Sequence, residues 1–150
     1  MNETSDIAVA ATIAVPAARA YSIIADYRNG HPRIVPPKYF RDLVVERGGT
    51  GAGTEFRFEM RAMGTRRVVR ATVAEPEPGR VLVERYPDGT VTWFTVDPAT
   101  DPSRCTVTIS TRLPGGAGLL GRIGKAMLVR FLRPIYREEL ERLEAVARHG

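Results

Sequence analysis

Segment 54–63 constrains the fold more than any other part of the chain. Phe56, Phe58, Met60 and Ala62 fall on one parity, and Glu55, Arg57, Glu59 and Arg61 on the other. Successive side chains of a strand point to opposite faces, so this pattern reads as a strand with one dry face and one wet face. Such a strand needs partners along both edges and an apolar element laid across its dry side.

The rest of the chain supplies both. Segment 66–75 puts Val69, Ala71 and Val73 on one face, and segments 80–86, 90–96 and 104–113 continue the strand pattern. Gly64-Thr65, Pro76-Glu77-Pro78-Gly79, Pro87-Asp88-Gly89 and the polar run 97–102 separate them, short connections that predict an antiparallel meander. Upstream, segment 7–15 carries Ile7, Val9, Ile13 and Val15 at alternate positions. Pro16 then opens a short helix over 17–26 with Ala20, Tyr21, Ile23 and Ile24 on its apolar side. Arg28-Asn29-Gly30 and His31-Pro32 end that helix, and Leu43 and Val45 mark a further strand before the glycine-rich run 48–53.

After Pro114-Gly115-Gly116 the period becomes helical. Leu120, Ile123, Met127 and Phe131, then Leu132, Tyr136, Leu140, Leu143 and Ala147, recur at steps of three or four. This predicts a helix approaching thirty residues, roughly 45 Å long at 1.5 Å per residue. Pro134 lies inside it and predicts a bend near 130–133. The expected fold class is α+β: a curved antiparallel seven-stranded sheet around a long C-terminal helix, with short helices after the first strand.

Size and composition set outer limits. A chain of 150 residues fits one domain, 1–150, burying roughly 70% of the surface its unfolded form exposes. The apolar stretch 7–15 is too short to cross a bilayer and no basic n-region precedes it, so the reading is a cytoplasmic protein. Cys105 is alone, which excludes an internal disulfide, and with only His31 and His149 no metal-ligand spacing arises; neither metal nor cofactor is expected. The net charge is +5, yet there is no zinc-finger spacing, aromatic nucleic-acid motif or polybasic run, so no nucleic-acid partner is expected. Arg122, Lys125, Arg130, Arg133 and Arg137 do gather in one stretch. A solvated helix face is the simpler reading of them, and contact with an anionic membrane or a protein partner is the alternative.

This order of elements resembles the START-like (SRPBCC) superfamily. The resemblance spans nearly the whole chain and is carried by VPAARAYSIIAD from Val15, GAGTEFRFEM from Gly51, VAEPEPGRVLVER from Val73 and the long ending from Leu113 to Val146. Together these are similar to the polyketide cyclase/dehydrase branch. The resemblance implies the helix-grip fold, with an apolar cavity between sheet and long helix that takes a small hydrophobic molecule such as a polyketide, lipid or aromatic metabolite. It names no substrate.

Candidate cavity residues follow from parity: Phe56, Phe58, Met60, Val69, Ala71, Phe94 and Ile109 from the strands, and Met127 and Phe131 from the helix, with core packing the plainer role for each. Tyr21, Ile24 and Tyr27 are placed at the cavity from the first helix and its end, Tyr21 also because the family resemblance implies an aromatic there. Arg67, Thr92 and Thr111 are the polar groups with inward parity. They make no convincing catalytic set, so catalytic residues stay unassigned. An acid–base pair of Asp26 and His31 is conceivable, although a solvent-facing loop histidine is the simpler account. Run 48–53 lacks the Lys-Ser/Thr ending of a phosphate loop and leads into a strand, so it reads as turn chemistry.

Over 80–96 both faces are apolar and the register stays open. If Phe94 points inward, Trp93 points out and suggests a homodimer surface. Three functions compete: a binder of a small hydrophobic molecule, a polyketide aromatase/cyclase or dehydratase, and a docking module using the basic helix face.

Overall fold

The computed structural model describes residues 5–62, 64–115 and 118–149. Residues 1–4 and 150, the last residue of segment 54–63 and Gly116 of the breaker before the long helix lie outside the described residues. Strand β1 (Ile7–Ile13) leads into helix α1 (Ala17–Ala25) and the one-turn α2 (His31–Ile34). Six strands follow: β2 (Phe40–Arg47), β3 (Glu55–Ala62), β4 (Thr65–Glu77), β5 (Val81–Arg85), β6 (Val91–Pro98) and β7 (Cys105–Arg112). Helix α3 (Gly118–His149) closes the chain.

All seven strands form one antiparallel sheet in the order β1-β7-β6-β5-β4-β3-β2. The meander from β2 to β7 is the one the short turns predict, and β1 returns to pair with β7, Ile7 opposite Thr111 and Ile13 opposite Cys105. Register resolves the open question of parity. Phe94 lies opposite Leu82 on β5 and Ile109 on β7, all three facing the core, so Trp93 faces outward. There it packs on Val81, Val83 and Val91, with the Arg112 guanidinium 5.6 Å from its ring centre. It is half-buried under a cation–π contact and not the bare aromatic that suggested a dimer surface.

Helix α3 is continuous through Pro134, but the two sides of that residue differ in their surroundings. Leu132, Ile135, Tyr136, Leu140 and Leu143 are buried, and α3 packs against β1, α1 and α2. Leu119, Leu120, Ile123 and Met127 are exposed. The physical reason is that the first half of α3 stands over open space rather than over packed strands.

The glycine-rich run holds α1 to the sheet. Tyr27 N–H donates to the Gly49 carbonyl, Gly51 N–H to the Ala25 carbonyl, and Ala52 N–H to Glu75 Oε1. Tyr21 reaches the same Glu75 carboxylate through its hydroxyl at 2.5 Å. At the other end of the turn after α1, a Cβ on Gly30 would collide with the Ile23 carbonyl oxygen and stand 3.0 Å from the Ile23 Cα. Gly30→Ala is therefore expected to lower the unfolding free energy in urea by about 1–3 kcal/mol, the usual cost of overpacking. An unchanged urea midpoint would show that α1 and α2 separate freely.

Candidate functional site

Between the concave face of the sheet and α3 lies a cavity of about 640 Å³. Its body is apolar. Phe56 and Phe58 of β3, Val69 of β4 and Phe94 of β6 form the sheet wall, while Leu128 and Leu132 of α3 form the helix wall. Arg41, Asp42, Arg67 and Asp88 line it at exposed positions, which makes a charged rim.

The opposite, buried end is polar, and Glu84 is its centre. Glu84 stands opposite Thr92 on β6 and Val73 on β4, so the register turns its carboxylate inward. Tyr27 donates to Glu84 Oε2 at 2.5 Å and Tyr86 donates to Oε1 at 2.8 Å. His31 Nε2 lies 3.5 Å from Oε2. The His31 Nδ1 is 2.8 Å from the Ile24 carbonyl, which can only accept, so Nδ1 carries a proton and Nε2 is the nitrogen turned to Glu84. The ring is clamped between Tyr27, stacked at 4.4 Å, and the edge of Phe94.

Tyr136 of α3 completes this end. Its hydroxyl is 2.6 Å from Thr111 Oγ1, which is 2.9 Å from Thr92 Oγ1. One helical turn further, Glu139 also lines the cavity with only 3% of its surface exposed. No hydrogen bond from the described residues reaches its carboxyl. Burial first, and the nearby Glu84 charge second, hold Glu139 well above the ordinary carboxylate range. The phenols of Tyr27 and Tyr86 are pushed up by the same two causes, and Tyr136 by burial most of all.

Six of the thirteen residues that parity and resemblance put forward line the cavity: Phe56, Phe58, Met60, Arg67, Val69 and Phe94. Seven do not. Ile24, Ala71 and Ile109 are core residues packed behind the wall. Tyr27 is wholly buried beneath it and acts through Glu84, and Tyr21 turns to Glu75. Phe131 packs edge-on against Tyr39, and Met127 is 59% exposed. The helix is rotated by one position from the expected phase, so the lining row is Leu128, Leu132, Tyr136 and Glu139. Leu132 and Tyr136 belong to the second run of the periodic series, whereas Glu139 is an acid and apolar periodicity passes over it. The Asp26–His31 pair does not form: Asp26 Oδ1 accepts from the backbone of Arg28 and Asn29, whereas His31 is buried beside Glu84. Among the described residues no three His, Cys, Asp or Glu side chains converge as a metal site requires, and no helix is long and apolar enough to cross a membrane.

Sheet, gripped helix and the cavity between them define a helix-grip domain. The chain belongs to the polyketide cyclase / dehydrase and lipid transport family, whose sequence model matches residues 4–148. Three solved structures share the fold. The KanY protein, solved by NMR in solution, is 27% identical over 99% of both chains, with a TM-score of 0.82. A START superfamily protein from Mycobacterium smegmatis is 14% identical over 95% of this chain and 96% of its own, with a TM-score of 0.72. The Zhui aromatase/cyclase from Streptomyces sp. R1128 is 16% identical over 95% and 92%, also at 0.72. No curated protein matches the sequence.

The Glu139 carboxyl generates a prediction with a definite sign. Its folded-state pKa is raised, so the folded chain keeps a proton that the unfolded chain releases above about pH 4.3. The stability tied to that proton is fully present below this pH and is lost as pH climbs toward the folded value, by up to about 1.4 kcal/mol per unit. Glu139→Gln has no such slope. Urea denaturation at pH 5, 6 and 7 is expected to show the variant gaining steadily on the wild type, and a constant difference would mean that Glu139 titrates normally.

Proposed function

We propose that this protein binds a small, largely hydrophobic molecule that carries one polar end, the body lying along Phe58, Val69 and Leu132 and the polar end at Glu84 and Tyr136. The observation that supports this most is the cavity itself, about 640 Å³ of unfilled space in a core that is otherwise packed. Protein interiors close such space unless something occupies it, and this volume falls within the range of small-molecule sites. Apolar walls with a few polar groups at one end suit a ligand of mixed character.

A second reading, a polyketide aromatase/cyclase or dehydratase, is favoured by the family and by the acidic and phenolic groups at the buried end. It shares the binding step and adds proton transfer. Arg67, at the exposed rim, is less suited to that role than the groups around Glu84. The third reading, docking through the basic half of α3, leaves the cavity without a purpose.

Val69→Trp would place a large ring in the middle of the cavity. Titration with Nile red, a neutral apolar dye, is expected to show the wild type binding in the micromolar range. The variant, with an unaltered circular dichroism spectrum, should bind at least tenfold more weakly. Equal binding by the two proteins would mean that the dye, and the function proposed here, lie elsewhere.

A further inference from the structure

Among the described residues, no side chain pairs with Glu139 at the buried end. Glu84 has two phenols and sits beside His31, and Tyr136 has Thr111, but Glu139 faces the cavity alone at 3% exposure. Buried charged groups are normally paired, and a carboxyl that reaches only into a cavity without a hydrogen-bond partner is costly. The arginines that line the cavity, Arg41 and Arg67, are at its exposed rim and not at this end.

We infer that the buried end of the cavity is a cation site completed by the ligand: it takes a protonated amine on an aromatic or alicyclic body, with Glu139 as the counter-ion. This rests on the binding reading above and specifies which molecules the site selects. Two carboxyls converge there, from β5 and from α3. Tyr27, Tyr86 and Tyr136 are all near them, and the charges that act on these phenols and on Glu139 are acidic ones. A field of one sign in a low-dielectric pocket favours the opposite charge strongly. A carboxylate ligand, by contrast, meets like charge here and is rejected.

Binding carries a proton balance. The amine enters as the ammonium ion, the Glu139 carboxyl becomes a carboxylate, and its proton leaves to solvent; no bond in the ligand is made or broken. Among the described residues, the titratable groups that interact with Glu139 are Glu84 from β5, Tyr86 just after it, Tyr27 between α1 and α2, and Tyr136 from its own helix, while His31 lines the same end beside Glu84. The three phenols stay protonated near neutral pH, so the proton released on binding comes from Glu139 and affinity for the amine rises from pH 6 to pH 8.

The test is isothermal titration of the whole protein with three probes sharing one naphthyl body: naphthylethylamine, the corresponding methyl ketone and naphthylpropionate. Running it at pH 7 in phosphate and in Tris, which differ in ionisation enthalpy, reads the protons exchanged. The expected result is amine bound at least tenfold tighter than ketone, carboxylate weakest, and close to one proton released per amine. In Glu139→Gln, nearly the same in shape, amine affinity falls at least tenfold and proton release disappears, while ketone affinity stays within threefold. Amine bound no tighter than ketone, or bound without proton release by the wild type, overturns the inference and leaves the binding reading standing. Failure of all three probes to bind overturns both.

Discussion

One helix cannot cover the concave face of seven strands. Strands about 4.8 Å apart make a sheet roughly 30 Å wide, and a helix with its side chains is about 10–12 Å across. The structure meets this mismatch unevenly. It spends α1, α2 and the second half of α3 on the β1, β7 and β6 side, where Ile7, Ile13, Cys105, Val107, Ile135 and Leu143 make a filled core. The β2–β5 side then has no helix packed flat on it, and the cavity is the space left over. Cavity and core are two outcomes of the same curvature.

The polar end sits at the border between those regions, and its position explains how it is tolerated. Glu84 projects from a strand whose neighbours Val81, Leu82 and Val83 are all buried. It survives because two hydroxyls and an imidazole edge are brought to it from other elements. Removing any one of them would leave a buried carboxylate short of a partner, the costly kind of loss. Glu139 has no such support, and buried polar groups that the fold itself does not satisfy are found where a protein acts on something else.

The strands were legible because their residues obey the alternation rule closely. Segment 54–63 could be assigned to one face residue by residue, and the closing helix followed from a change of period. The site was legible only where it shares that rule: Phe56, Phe58, Val69 and Phe94 are apolar, inward and in contact with the cavity. Glu84, Tyr86, His31 and Glu139 escaped because parity reasoning assigns acids and loop residues to solvent. A signal for Glu84 did exist. In Val81-Leu82-Val83-Glu84 it shares parity with Leu82, which the register opposite Phe94 turns inward, but with both faces apolar that register could not be chosen from sequence. Met127 was lost to a helix phase error of one residue, a rotation of about 100°.

The pairing of β1 with β7 has a consequence in time. Ile7 is made well before its partner Thr111, with α3 later still. Contacts so far apart in sequence close slowly, since chain entropy is lost before any stabilisation is gained. During synthesis the β2–β6 hairpins can form locally, while β1 waits with an open edge until the ribosome has delivered β7. The small residues Ala8, Ala10 and Ala11 on that waiting strand present little apolar surface, which limits wrong pairings in the interval.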